Sequence, residues 1–509
     1  MTTSGKSGIA FAPADRGAVC AIDGDRELTW SELDDLTNRF SSSLERLGVR
    51  AGDAVAIRLH TRLEWLVVSL GIAKTGAVAV AVNYELSPPE ATYILKDCGV
   101  RAAIVDDGDP SPLVTAWEGL NLAAIVSLDK PWEGTHYYQD LLDQGSPETR
   151  SATDFAPIII YSSGTTGSPK GTPLGGFQNT PDPTTLAEYG LSVHFDGAAA
   201  GPDCCLLMNL PMHRGAGPSY TRSSLVSGGK VVFQRRFDPN EVLRLIDLHK
   251  VTHWIAVPTM LQRVLYIPKE VRATFDTSSM KFIMGGAAPF SQQLKEQVIN
   301  QFGDVLHEIY GCTEAGMMTG ATPADLRERP TSSGRPFRHV DLMIVDAEGT
   351  ELPRGTTGEI VARTPTVISG YIGRAPLGPG SLLPGGYYRT GDVGHLDEDG
   401  YLYIYDRITD MMIAGGVTFS PAEIEAVLDS HPDVALSAVV GVPHVELGEQ
   451  PVAFIQRRSG SSVTAEDLLS FCDGQLAKYK WPRAFHFTDR IPVSAMGKLL
   501  KRAIREEIQ

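Results

Sequence analysis

Three short apolar runs, Ala54-Val55-Ala56-Ile57, Val78-Ala79-Val80-Ala81-Val82 and Ala102-Ala103-Ile104-Val105, alternate with stretches of helical period at residues 63–73 and 89–98. That alternation implies βα units and a largely parallel sheet. Upstream, Thr29-Trp30-Ser31-Glu32 has the form of a capping box, and Leu33, Leu36, Phe40, Leu44 and Leu47 follow at helical spacing until Gly48 stops the pattern. The chain therefore opens with an amphipathic helix in an α/β domain. At 509 residues it is too long for one ordinary core, so two or more domains are expected.

From about residue 340 to 405 the texture changes to short strands with Gly and Pro turns, as in Gly358-Glu359-Ile360-Val361-Ala362 and Gly400-Tyr401-Leu402-Tyr403-Ile404-Tyr405, which predicts a β-rich subdomain. Beyond Asp406-Arg407 it changes again. Ser420-Pro421-Ala422-Glu423 combines an N-cap, a proline at the first helical position and a capping-box glutamate, with Ile424, Val427 and Leu428 on one apolar face. Strands over residues 435–441 and 451–456, then helices over 465–476 and 499–507, complete a compact α+β unit of about one hundred residues, large enough to fold alone. The expected architecture is α/β: a large N-terminal domain of βα-type sheets over residues 1–408, including the β-rich subdomain, and a small α+β C-terminal domain over residues 409–509. The boundary falls near Thr409.

A formal charge of −16 disfavours nucleic acid or an anionic membrane as the main partner, since either calls for a basic face. The six cysteines show neither Cys-x-x-Cys spacing nor clustering with histidine, so no zinc site or disulfide framework is indicated and a reducing cytosol fits best. Residues 1–10 lack the basic start and apolar core of a signal peptide, and no apolar run reaches membrane-spanning length. A soluble, cytoplasmic protein is expected, with a homodimer left open.

The most informative segment is Ser162-Ser163-Gly164-Thr165-Thr166-Gly167-Ser168-Pro169-Lys170-Gly171, which follows the β-rich run Ile158-Ile159-Ile160-Tyr161. Its three internal and terminal glycines let backbone N–H groups converge on an anion, and its hydroxyls and ammonium add donors. Gly-Lys is not followed by Ser or Thr as a Walker loop requires, so a P-loop kinase or ATPase is disfavoured. Four further segments come after it in order: Gly285-Gly286-Ala287-Ala288-Pro289, Tyr310-Gly311-Cys312-Thr313-Glu314, Tyr388-Arg389-Thr390-Gly391-Asp392 with Arg407 a hairpin later, and Pro492-Val493-Ser494-Ala495-Met496-Gly497-Lys498.

In identity, order and spacing these segments resemble the adenylate-forming superfamily of acyl- and aryl-CoA ligases, luciferases and peptide-synthetase adenylation domains. The resemblance spans nearly the whole chain and is greatest to the CoA ligases. It implies ATP, Mg²⁺ and CoA as cofactors and a small carboxylic acid as substrate. It assigns Ser162, Thr165, Thr166 and Lys170 to the β- and γ-phosphates. Thr313 would donate to the α-phosphate, Glu314 would hold Mg²⁺, and Lys498 would stabilise charge between carboxylate and α-phosphate. Gly286, Ala287, Ala288 and Tyr310 would enclose adenine; Asp392 would take the ribose hydroxyls and Arg407 the ribose or a phosphate. Gly285, His213 and Arg214 would line the acyl pocket, Gly415, Gly416 and Trp481 would meet CoA, and Thr409 would be the hinge of a rotating, mobile C-terminal domain.

The sequence also departs from the family's habit. Asp406-Arg407 replaces the usual Gly-Arg, Thr409 replaces an Asp or Lys, Thr172-Pro173-Leu174-Gly175-Gly176-Phe177 follows the phosphate loop, and Pro211-Met212-His213-Arg214 replaces a Pro followed by an aromatic residue and His. Either His213 or Arg214 stands for that histidine. These changes favour a roomy pocket for a bulky hydrophobic acid; Arg214 and Arg222 raise a dicarboxylic or hydroxylated acid as the second choice. Two other functions compete with a CoA ligase: a stand-alone adenylation enzyme loading a carrier protein, and a non-catalytic acyl-AMP-binding regulator.

Overall fold

The computed structural model describes residues 9–13, 15–152, 154–162, 169–174, 181–288, 290–414, 417–444, 448–494 and 499–506. Four sheets carry the architecture. The first has seven strands in the order His136–Tyr137, Ala124–Ser127, Val100–Val105, Ala54–Arg58, Val78–Ala81, Ile158–Ser162 and Lys170–Pro173, parallel except for the last pair. The second has nine strands, with Phe282–Gly286, His253–Ala256, Cys205–Met208 and Lys230–Phe233 parallel at its centre and Leu306–Cys312 beside them. Parallel strands need covered faces. The helices Trp30–Arg46 and Glu64–Thr75 supply part of that cover, and the core they join includes Phe40, Leu66, Trp254 and Phe282.

Local sequence explains how these helices form and meet. Thr29 and Glu32 complete the predicted capping box, and the first helix ends as Gly48 takes φ +97. The second helix is apolar on nearly all sides and buried throughout most of its length. Its Gly71 permits close packing: a Cβ there would lie 2.7 Å from the Phe40 ring. The buried Lys74 ammonium is held by Asp34 at 2.6 Å and Asn38 at 2.7 Å.

The predicted β-rich segment is a five-stranded antiparallel sheet running from Asp341–Val345 to Leu402–Arg407. The chain changes sheets immediately afterwards. Met412–Ala414 belongs to a separate five-stranded sheet with Val417–Phe419, Val434–His444, Gly448–Arg457 and Ala484–Thr488, against which the helix Pro421–Asp429 packs.

Three local expectations are corrected, the first being the helix expected over 465–476, which spans Ala465–Cys472. The final helix, described over Lys501–Glu506, starts at Lys501 rather than at 499, because Leu499 forms a β-bridge with Val493; residue 507 lies outside the described residues. At the helix Pro421–Asp429, Ser420 caps Ala422 as expected, but Glu423 pairs with Lys480 instead of closing a capping box. All six cysteines are free. Among the described residues no helix is long and apolar enough to cross a membrane.

Candidate active site

The strand Leu306–Cys312 turns back through Thr313, Glu314 and Ala315 into Gly316–Ala321. Gly316 adopts φ +76, and a Cβ there would lie 2.2 Å from Thr366 Oγ1. This turn is held by the following segment: Thr364 Oγ1 donates to the Ala315 carbonyl, and the Ile368 amide donates to the Glu314 carbonyl at 2.9 Å. Tyr371 Oη then donates to Glu314 Oε1 at 3.1 Å, and the Lys170 ammonium stands 5.0 Å from the centre of the same tyrosine ring. One residue later, the Ile372 amide bonds to the Gly171 carbonyl at 2.8 Å. Lys170 and Glu314, 144 residues apart in sequence, thus share a single aromatic neighbour.

Burial beside Glu314 raises the phenols of Tyr371 and Tyr388, so both stay protonated near neutrality. Burial also pushes the Cys312 thiol up to about 12, which leaves it inert as a nucleophile. The Thr313 hydroxyl has no partner among the described residues. Those residues contain no cluster of three or more His, Cys, Asp or Glu placed to hold a metal. Glu314 offers one hard carboxylate, which suits a Mg²⁺ ion drawing its other ligands from phosphates and water.

Tyr310 lies at the base of the same turn. Its hydroxyl donates to Asp392 Oδ2 at 2.6 Å, while Arg407 Nε meets Asp392 Oδ1 at 2.7 Å. Register accounts for this pair, since Asp392 and Arg407 stand opposite each other on adjacent antiparallel strands. Thr390 Oγ1 accepts from the Asp392 amide at 3.0 Å and donates to the Ile360 carbonyl at 2.7 Å, fixing the carboxylate's backbone. Burial and the neighbouring carboxylate push the Tyr310 phenol well above its usual range, so it remains a donor.

The strand Phe282–Gly286 ends in a strained turn. Gly286 faces the Ile309 carbonyl, 2.7 Å from where a Cβ would stand, and Ala287 takes φ +66, a conformation that costs a non-glycine residue about 1 kcal/mol or more. Gly285 is crowded rather than open, since its Cβ would lie 2.4 Å from Phe290. Gly217 is equally crowded against the Pro211 carbonyl, whereas a Cβ on Gly215 would meet nothing within 4 Å.

His213 and Arg214 follow the strand Cys205–Met208 and precede the helix Ala216–Val226. His213 is buried, with no partner for either ring nitrogen among the described residues, and burial together with the nearby Arg214, Arg58 and His60 holds its pKa down to about 3. Its ring packs edge-on to Tyr84, which in turn stacks on His60 at 4.0 Å. Arg222, by contrast, pairs with Asp154 on the exposed surface.

Sequence reading missed the residues that frame this corner. Arg58 donates to the carbonyls of Asn83, Tyr84 and Leu86 and pairs with Asp107, so it fixes the loop that faces His213. Thr61 Oγ1 ties the first sheet to the Leu210 carbonyl of the second at 2.8 Å. Tyr371, the bridge between Lys170 and Glu314, was missed as well. Arg58 ends the strand Ala54–Arg58 and Tyr371 lies between Gly370 and Gly373, but nothing in either segment names the partners, which only the three-dimensional fold supplies.

Trp481, assigned to CoA, packs against the core of the C-terminal unit and donates its indole N–H to the Leu476 carbonyl at 3.0 Å. Thr409 is exposed in a turn between the two sheets. Thr165, Thr166, Gly415, Gly416 and Lys498, like the side chain of Ser162, lie outside the described residues.

A phosphate-type lysine and a metal-type carboxylate meeting at the carboxyl ends of parallel strands, with a small α+β unit attached just past Arg407, define an adenylate-forming architecture. The family model for AMP-binding enzymes matches residues 10–372, and that for the AMP-binding enzyme C-terminal domain matches residues 423–498. A fatty acid–[acyl-carrier-protein] ligase, ScoC, from Streptomyces coeruleorubidus is 33% identical over 94% of this chain and 92% of its own. The 2-succinylbenzoate–CoA ligase of Geobacillus kaustophilus is 33% identical over 98% and 96% respectively. Among solved structures, ATP-bound MatB from Rhodopseudomonas palustris superposes with a TM-score of 0.84 at 28% identity, covering 97% of this chain and 96% of its own. The chain belongs to the AMP-binding enzyme family.

Proposed function

We propose that the protein is an ATP-dependent ligase that joins a hydrophobic carboxylic acid to coenzyme A through an acyl-adenylate. An acid does not react with a thiol at neutral pH, because hydroxide would have to leave. Attack of the carboxylate on the α-phosphorus of ATP forms an acyl–O–P bond and expels pyrophosphate. Attack by the thiol then forms the thioester and releases AMP.

The protein's part in the first step is to hold anions together with fixed donors and positive charge. Lys170, set against Tyr371, neutralises the β- and γ-phosphates together with Ser162, Thr165 and Thr166. Thr313 donates its hydroxyl to the α-phosphate. Asp392, oriented by Tyr310 and Arg407, accepts from the ribose hydroxyls through its remaining lone pairs. The backbone turn at Gly286, Ala287 and Ala288 flanks the adenine. Glu314 would hold Mg²⁺, which supplies Lewis-acid neutralisation of the phosphates. Lys498 enters with the C-terminal unit, for which Thr409 is the hinge, and a rotation of that unit brings Gly415 and Gly416 to the pantetheine arm.

The convergence of Lys170 and Glu314 on Tyr371, beside the Tyr310–Asp392–Arg407 cluster, carries this reading. The open space at Gly215 supports an acid of some bulk. We place the enzyme in the reducing cytosol, where its six free thiols persist. A carrier protein's phosphopantetheine is the second reading for the acceptor, favoured by the likeness to the ScoC ligase.

The test is acid-dependent ATP–pyrophosphate exchange across fatty, aryl, alicyclic and dicarboxylic acids, followed by turnover with CoA and with a holo carrier protein. Exchange plus CoA turnover is expected; no exchange with any acid would leave a non-catalytic acyl-AMP-binding protein. Lys498→Ala is expected to suppress exchange at least a hundredfold while largely sparing thioester formation from supplied acyl-adenylate. Equal losses in both half-reactions would remove Lys498 from its assigned step.

A further inference from the structure

Arg214 is a partly buried cation without an anion. Among the described residues its Nε, sealed from water, has no hydrogen-bond partner, and no carboxylate lies within ion-pair reach. Arg58, the other arginine acting on His213, is by contrast paired with Asp107. Burial depresses the Arg214 pKa, and Glu85 offsets this only through space. A buried guanidinium N–H without an acceptor is costly, and native proteins seldom leave one without a reason.

Two further donors adjoin it in the chain. The buried His213 imidazole has both ring nitrogens unpartnered and is neutral, so it presents one N–H without adding a second positive charge. The 11-residue helix Ala216–Val226 starts immediately afterwards with no side-chain cap, so the amides of Ala216 and Gly217 have no intrahelical acceptor. The loop facing His213 leaves the strand Val78–Ala81, the hydrogen-bonded neighbour of Ile158–Ser162, so this corner adjoins the start of the phosphate segment. Arg58 clamps that loop in place, which makes the corner a built site.

We propose that Arg214, with His213 and the first amides of the helix Ala216–Val226, holds a second carboxylate on the acid being activated. The substrate is then a dicarboxylic acid with an apolar body, adenylated at one end and anchored at the other. A planar guanidinium fits a carboxylate with two parallel hydrogen bonds, and the neighbouring N–H donors satisfy its remaining lone pairs. This rests on the ligase reading and on residues 210–218 lining the acyl site. Phosphate oxygens of ATP or CoA share the same chemistry, and the experiment separates them from the acid.

Pyrophosphate exchange is measured with matched pairs: hexanoate and adipate, octanoate and suberate, 3-phenylpropanoate and 3-(2-carboxyphenyl)propanoate. In the unmodified protein the diacid of at least one pair should exceed its monoacid tenfold or more in kcat/KM, a ratio that needs no variant. Arg214→Met should lower kcat/KM for that diacid about a hundredfold, mainly through KM, and collapse the ratio; Arg214→Lys should restore part of it. Monoacids used as well as or better than diacids in every pair would overturn the proposal while leaving the ligase function standing. So would an Arg214→Met defect that appears in the KM for ATP or for CoA, because the guanidinium would then serve their phosphates. Absence of exchange with every acid would instead defeat the ligase reading itself.

Discussion

Asp392 occupies the most heavily constrained position in the site, since its two oxygens are held from opposite sides by Tyr310 and Arg407. A hydrogen bond to a charged group contributes about 1.5–3 kcal/mol, and Asp392→Asn removes the charge while keeping the shape. The KM for ATP in the exchange reaction should therefore rise about tenfold or more. Because Arg407 acts on the nucleotide partly through Asp392, the double variant with Arg407→Met should lose much less than the sum of the two singles. Strictly additive losses would show that the two residues work apart. The motifs made Asp392 and Arg407 legible, because a conspicuous Arg-Thr-Gly-Asp run and a hairpin-spaced arginine survive as linear patterns. Ala287 was legible as a candidate residue but not as a strained one, since nothing in Gly-Gly-Ala-Ala says which residue must take positive φ. Arg58 and Tyr371 left no linear trace, because each acts on backbone or side chains supplied by other strands.

At the next scale, the junction past Arg407 shows how a local reading can name the right elements and misjudge their contacts. Asp406, a departure from the usual glycine, accepts from Ser420 Oγ at 2.9 Å and from the Ala422 amide at 3.3 Å, so it helps cap the helix Pro421–Asp429 from the strand before the sheet change. Glu423 is thereby free to pair with Lys480. On the inner face of that helix the buried Glu425 meets Lys501 at 3.1 Å and accepts from the Val439 amide at 2.7 Å, while Asp410 pairs with Arg505. The late start of the terminal helix follows from these contacts, which place Lys501 in its first turn after Leu499 has bridged to Val493. Breaking a buried pair by removing one partner costs about 3–5 kcal/mol, since the other charge is left uncompensated. Lys501→Met should destabilise the protein by about that much in urea unfolding. Adding Glu425→Gln, which keeps the acceptor for Val439, should recover most of the loss. A single variant no less stable than the parent would mean that water already reaches Glu425.

For the molecule as a whole, the large sheets bury several histidines as neutral rings, which ties stability to pH. His307 packs between Phe195 and Phe282, donates Nδ1–H to the Val305 carbonyl at 3.1 Å, and is held down to about 4 by burial; burial also lowers His253 and His194. The unfolded chain protonates each near pH 6.5, so below that pH it binds protons that the folded state refuses. Stability is thus complete above pH 6.5 and is lost as pH falls toward the folded-state value. For His307 alone the loss between pH 6.5 and 4 is on the order of 3 kcal/mol. Asp429 works in the opposite direction. Burial raises its pKa to about 7, so its contribution is lost as pH rises through 7 and regained as pH falls toward 3.8. With several histidines set against this carboxylate, net stability should decline from pH 6.5 to 4, before the acid-side loss of the Glu64 pairings with Arg26 and Arg62, whose carboxylate is held at about 2. Urea midpoints across this range will show it. His307→Phe, which keeps a ring in the Phe195 and Phe282 pocket without a titrating group, should make the decline shallower, and Asp429→Asn should make it steeper. If neither substitution changes the slope, the proton uptake lies elsewhere and the buried histidines are not what sets acid stability.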